Sequence, residues 1–248
     1  MTCIFCDGDG KLTKEHVIPR WLGPVLLRAR PPLGRSPGEK LFTHRFNPGP
    51  NDDSPPREWP NDEVDLVTNS VCERCNSGWL HDLETKARPV LTHLVIGETS
   101  DLTTEDQKTV ATWAYKTALL FQLLRAERAR AIPPDRFREL FALRQPPTEA
   151  RVWLGAARGN GAMHETSTEV NMVNVQHEVS GFFSAIALAN LLILCAGRLF
   201  PGPEQIQPGS RGRTSVTVPV WPPSLRPASW PPLEALENLE AKDLVKVV

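Results

Sequence analysis

Two Cys-x-x-Cys turns, Cys3/Cys6 and Cys72/Cys75, lie 65 residues apart in this chain and constrain its fold more than any other feature. Each turn presents two sulfurs about 3.5–4 Å apart, and the two turns together supply the four thiolates of a tetrahedral zinc site. A cage closed by four thiolates keeps no open position, so the zinc expected here is structural. Five cysteines in 248 residues are too sparse for a secreted disulfide scaffold. A redox Cys-x-x-Cys fits less well, because two such pairs flank one segment where a thioredoxin-like site has a single pair opening a helix. The metal would replace a core that so small a module could scarcely build. The fifth cysteine, Cys195, sits inside an apolar run and reads as a buried, inert thiol.

With 40% hydrophobic and 23% charged residues the chain can bury a real core, in one large domain or two small ones, and dominant disorder is excluded. The net charge of -1 argues against coating nucleic acid by bulk attraction, so any such contact needs a local patch. One candidate exists. Lys11 to Arg45 holds eight basic residues and two acids, followed from Asp52 to Asp65 by six acids and one Arg. The basic stretch suits phosphate contact without base reading, or it is simply a solvated loop. The longest apolar run, Phe182 to Gly197, is broken by Ser184 and Asn190 and falls short of the ~20 residues of a membrane helix, so it is expected in a core. No basic start with an apolar run, as in a secretory signal, opens the sequence, which leads to the expectation of a cytoplasmic protein with no membrane partner.

Residues 1–24 read as a cysteine knuckle, a turn at Asp7 to Gly10 and a short strand or hairpin that Pro19 limits. Residues 25–66 are rich in Pro, Gly, Asn and charge, without sustained periodicity, and are expected to form a loop insertion. A short strand then leads into the second cysteine pair, which opens a helix with Trp79, Leu80, Leu83 and Glu84 at helical spacing up to Pro89. Residues 104–130 begin with a capping-box pattern at Thr103 or Thr104 and place Val110, Trp113, Ala114, Thr117, Leu120, Phe121 and Leu124 on one face. A shorter helix is expected from Pro134 to Leu143, then strands in ARVWLGAA, EVNMVNVQ and the FFSAIALANLLILCAG run. The terminal segment LEALENLEAKDLVKVV is amphipathic. The expected class is α+β, with a metal module in 1–98 and a domain of helices plus a mainly antiparallel sheet in 99–248.

Between and after the cysteines stand EHVIP at 15–19, Asn69 before the second pair, and CERCN at 72–76. In these pieces residues 1 to about 90 resemble the HNH nuclease family in its zinc-bracketed form. The resemblance implies a ββα-metal finger, close to a treble clef, that hydrolyses DNA phosphodiester bonds with one divalent ion. It puts the general base on His16, an acidic metal ligand on Glu15, the middle Asn on Asn69 and the helix ligand on Asn76. A carboxylate and an amide oxygen are hard ligands suited to Mg²⁺ or Mn²⁺, and a neutral imidazole can take a proton from water. Asn69 would aim the imidazole by fixing its loop. The third signature position is Asn76 where His is common, and the spacing between the cysteine pairs is long. His81 is a further candidate ligand, but five residues of α-helix turn it about 140° away from Asn76.

Blander readings stand beside these. A Glu-His dipeptide alone is a surface pair or capping feature, Asn76 could cap a helix beginning near Ser77, and Asn69 could stabilise a turn. Trp21 and Trp79 are most simply packing residues, with base stacking as the other possibility. His44, His93, His164 and His177 fall outside the motif. The leading expectation is an endonuclease on double-stranded DNA, of the kind that serves bacterial defence or acts as a toxin effector. The alternative is a noncatalytic zinc finger that binds nucleic acid or protein. Residues 99–248 could further sense a signal or form a homo-oligomer, a reading that rests on modular layout alone.

Overall fold

The computed structural model describes residues 2–29, 42–46, 57–61, 63–125, 130, 132–158, 163–173, 178–198, 217–233 and 236–237. In chain order the elements are β1 (Leu12–His16), α1 (Leu22–Ala29), β2 (Phe42–Phe46), β3 (Arg57–Asn61) and β4 (Val67–Cys72). A three-residue helical turn α2 (Glu73–Cys75) and a π turn (Asn76–Leu80) lead into α3 (His81–Ile96). There follow β5 (Ser100–Leu102), α4 (Thr104–Leu123), α5 (Asp135–Leu143), β6 (Arg151–Arg158), β7 (Met163–Val173), β8 (Glu178–Leu188), β9 (Leu191–Arg198), β10 (Thr217–Trp221), β11 (Ala228–Trp230) and β12 (Leu236–Glu237). The class is α+β.

The main sheet runs β10-β6-β9-β8-β7-β2-β3, with β12 alongside β6. Its pairings are antiparallel except β2 with β7 and β12 with β6. Two small ribbons complete the strands, β1 with β4 and β5 with β11. Helix α4 meets the sheet at β6, β8, β9 and β10 and also meets helix α3, which in turn meets α1 and β9. From Val110 to Gln122 every residue of α4 is buried, apolar and polar alike. The apolar ones include Val110, Trp113, Ala114, Tyr115, Ala118, Leu119 and Leu120. Two of its buried polar side chains are matched locally. Gln107 donates to the carbonyls of Leu102 and Arg226 and accepts from the Ser224 N–H, and Thr112 donates to the Lys108 carbonyl. The expected capping box is present, Thr103 Oγ1 accepting from the Asp106 N–H while Asp106 accepts from the Thr103 N–H. Buried apolar residues form one continuous cluster from Cys3 to Trp230.

Three readings change. The span taken as a loop insertion from residue 25 contains most of α1 and the strands β2 and β3. Leu22 and Leu26, one turn apart, are the buried stripe of α1, and Pro24 sits in its first turn, where the missing N–H costs nothing. Helix α3 does not stop at Pro89 but continues to Ile96, held by buried Ala87, Leu91, Leu94 and Val95, and ends on Gly97 at φ 86°. The apolar run 182–197 is two strands joined at Ala189-Asn190, with Ala189 at φ 52° and the Asn190 amide donating to the Val95 carbonyl. That turn packs on Gly97, where a Cβ would lie 3.2 Å from Asn190 Nδ2. The C-terminal amphipathic segment beyond Glu237 lies outside the described residues. Among the described residues no helix is long and apolar enough to cross a membrane.

Candidate functional site

Strand β4 ends at Cys72 opposite Leu12, so the β1–β4 ribbon delivers one cysteine of the second pair to its end, and α2 turns Cys75 back beside it. The first pair reaches the same point because its loop is closed by Cys3 N–H to the Gly8 carbonyl and Asp7 N–H to the Cys3 carbonyl. Ile4 N–H to the Ser70 carbonyl then stitches that loop to β4. The four sulfurs lie within 4.8 Å of one another, and Cys6 Sγ stands 3.7 Å from Cys72 Sγ. None is in a disulfide. Gly8 lies close to the cluster, and a Cβ there would make a tight 3.3 Å contact with Cys6 Sγ.

The electrostatics of the cluster are divided. Burial pushes the Cys72 and Cys75 thiols up. At Cys6 burial also opposes ionisation, but the Gly8 N–H and the Arg74 guanidinium outweigh it and bring the thiol down to about 7. Several thiolates packed this closely repel one another unless a cation neutralises them, and four convergent sulfurs are the donor set a thiophilic divalent ion such as zinc takes. The cluster could therefore bind such a metal. Phe5, inside the first knuckle and fully buried, meets Trp79 edge-on at 5.2 Å and Phe137 of α5 at 5.3 Å. Arg144 lies 4.8 Å over Trp79, and Arg138 of α5 reaches Asp7. Trp79 is thus a packing residue between the knuckle and α5, and Arg88 lies over Trp21 in the same manner.

The other end of the ribbon carries Glu15 and His16. Register pairs Glu15 with Thr68 and His16 with Val67. Successive strand residues face opposite sides, so the two side chains part. Glu15 turns into the protein and is 4% exposed, with Oε1 3.8 Å from Lys116 Nζ of α4. Lys116 is itself fully buried and donates to Glu84 Oε1 of α3 at 3.0 Å. Burial, opposed by Lys116 and assisted by Glu84, pushes the Glu15 carboxyl up to about 7. His16 stays on the accessible side, its ring 30% exposed and Nε2 3.7 Å from Asp65 Oδ1.

Asn76 sits within the helical run, at φ -63° and ψ -55°, because the helix starts at Glu73. It therefore does not cap a helix beginning near Ser77. Its Nδ2 donates to Thr13 Oγ1 at 3.0 Å and to the Lys14 carbonyl at 2.9 Å, pinning the helix to β1. Asn69 is exposed on β4, in the irregular stretch where register shifts between Thr13 and Glu15. His81 is exposed at the start of α3. Its N–H bonds the Asn76 carbonyl through the π turn, so the α-helical angle used above does not apply across these five residues.

The fold thus gathers the four cysteines and sets Asn76 beside β1. No side-chain hydrogen bond or ion pair among the described residues joins His16, Glu15, Asn69, Asn76 or His81 to one another. Sequence reasoning missed Lys116, Glu84 and Asp65. Lys116 did leave a signal, as the sole charged residue between Lys108 and Arg125. In the basic stretch, Arg30, Arg35 and Lys40 lie outside the described residues. No family model, curated protein or solved structure matches this chain.

Proposed function

We propose that this protein is a metal-dependent phosphodiester hydrolase acting on DNA, with a zinc-clamped, treble-clef-like ββα finger of the HNH type at its N-terminus. The observation that carries the reading is one arrangement. An antiparallel ribbon runs directly into a helix and is tied at one end by four convergent thiols. At its other end stands a partly exposed His16, with Asn76 fastened to Thr13 and Lys14.

In this reading Cys3, Cys6, Cys72 and Cys75 would hold the zinc that fixes the ribbon, and Asn76 Oδ1 with Glu15 would hold Mg²⁺ or Mn²⁺, which requires the Glu15 carboxylate to turn out from Lys116. When bound, that ion supplies charge stabilisation to the phosphate and its leaving oxygen. His16 takes the proton of the attacking water as the new P–O bond forms and the bond to the leaving oxygen breaks. Asp65 faces the His16 ring and steadies it. Water is the nucleophile, so no covalent enzyme intermediate forms.

Supercoiled plasmid with Mg²⁺ or Mn²⁺ tests this. His16→Ala should lose about 10²-fold or more of the nicking rate, the range of a positioned general base, while its zinc content stays that of the wild type. Intact plasmid with wild-type protein, or equal rates for both, overturns it. The burial of Glu15 against Lys116 favours a second reading, a noncatalytic nucleic-acid or protein binding module. That reading predicts gel-shift binding without turnover, and tolerance of Glu15→Gln.

A further inference from the structure

The charge of the basic stretch is divided by the fold. Arg20 is bound to Glu63 at 2.9 Å and Arg28 faces Glu98 at 3.6 Å, each with an acid of its own. Lys11 and Lys14 are exposed, and no ion pair among the described residues involves either. Along β1 Lys14 is exposed, Glu15 buried and His16 half-buried. Side chains two apart on a strand share a face, so Lys14 and His16 stand together on the accessible side, about 7 Å apart along the strand. The backbone at Lys14 is fixed, because its carbonyl accepts from Asn76 Nδ2 at 2.9 Å. Thr13 pairs with Val71 and Glu15 with Thr68, so two residues of β4, Asn69 and Ser70, stand opposite Lys14 alone. A bulge of this kind re-aims the side chains around it and is common beside active sites. On the other side of His16 the charges are negative, Asp65 at 3.7 Å from the ring and Glu63 beyond it in Arg20's grasp. The accessible face is therefore cationic before the imidazole and acidic after it.

We propose that Lys14 is a substrate-binding residue, taking a backbone phosphate of the DNA strand that lies against His16. This inference rests on the proposed function and deepens it. A phosphodiester is drawn to the ammonium and repelled by Asp65, so the strand lies along the Lys14 side of the ring. Lysine acts here as a point charge that fixes the strand's position without reading a base. Neutralising one phosphate releases condensed counterion, so this contact contributes about 0.9 to the slope of log affinity against log salt. Lys11 carries the same charge but sits at the cysteine end of the ribbon, where its carbonyl accepts from the Glu73 N–H. It is about 10 Å of strand further from His16 and makes no such contact.

The test is fluorescence anisotropy with a short labelled duplex and the zinc-loaded full chain carrying His16→Ala, which binds without cutting, between about 50 and 200 mM salt. Adding Lys14→Met should weaken binding about 3-fold or more at the low-salt end, and the gap should close by about 3-fold at the high-salt end, a slope lower by about 0.9. Lys14→Arg and Lys11→Met should each keep the parent slope. With His16 in place, Lys14→Met should raise KM for plasmid in parallel, while zinc content and melting stay those of the wild type. A Lys14→Met slope equal to the parent's overturns the inference. So does an equal fall for Lys14→Met and Lys11→Met, which marks a diffuse field in place of a contact. If wild type nicks plasmid and Lys14→Met leaves slope and KM unchanged, only the role of Lys14 falls. If wild type neither binds nor nicks DNA, both this inference and the hydrolase reading fall.

Discussion

The cysteine-tied ribbon and the α4 layer hold themselves together by opposite means. The ribbon consists of strands of 5 and 6 residues, too little paired backbone to be stable alone. Its closure depends on four sulfurs at one point and on Phe5 wedged between Trp79 and Phe137. Helix α4 has 20 residues, of which 110–122 are buried where it packs on the sheet and α3, and its stability comes from apolar area removed from water. A few atoms in the right geometry decide the first region, whereas many interchangeable contacts decide the second. Cys72→Ser should therefore have the largest effect of any single change. Apparent binding energies of structural zinc are about 10–16 kcal/mol, and in such modules that energy is folding energy. With the proposed zinc as the bound metal, its content should collapse, and hydrogen exchange should accelerate in β1, β4 and the Cys3–Gly8 loop while β8 and β9 stay protected. Uniform loss of protection across both regions would break the comparison.

Glu15, Lys116 and Glu84 form the joint between the two regions, and pH reads it. Burial raises the Glu15 carboxyl from its ordinary 4.5 to about 7, so the folded chain binds this proton more tightly than the unfolded one. The contribution is complete below about pH 4.5 and is lost as pH rises toward 7. The shift corresponds to on the order of 3 kcal/mol. Zinc-loaded protein without other divalent ions should lose this part of its stability across that window in urea titrations. Glu15→Gln, which cannot ionise, should flatten the slope. An unchanged slope in Glu15→Gln would mean that the joint is wetter than its 4% exposure indicates.

What the sequence revealed follows the same division. The cysteine spacing announced the convergence of four thiols because a Cys-x-x-Cys turn presents two sulfurs wherever it occurs. Helix α4 was legible because its cap and its apolar positions are local signals. The destination of the Glu15 side chain was not legible, since it depends on a lysine about 100 positions later being brought up by α4. Helix α1 was hidden among prolines and charges, where only Leu22 and Leu26 mark the buried side. Pro89 read as a stop because a proline forbids one hydrogen bond, yet the stripe of Ala87, Leu91, Leu94 and Val95 outweighs that loss through tertiary packing. The hairpin within 182–197 was obscured because Ala189 adopts positive φ without the Gly that marks such turns.

The smallest expected effect sharpens the comparison from the α4 side. Thr103 closes the capping box of α4 on an exposed surface, where its Oγ1 accepts from the Asp106 N–H. Removing that oxygen leaves a helix donor to water rather than burying it unpaired, so Thr103→Ala should cost only about 1 kcal/mol. The loss should appear as a lower urea midpoint at unchanged slope, because no element is deleted from the folded state. The cap lies at the N-terminus of α4, whereas Lys116 lies three turns further along and is fixed there by Glu84 and the packing around it. Zinc affinity, measured by competition with a chromophoric chelator, should therefore remain at the wild-type value. If so small a change at the cap weakened the metal, the α4 layer and the cysteine-tied ribbon would have to be treated as one cooperative unit, with stability and metal geometry no longer separable.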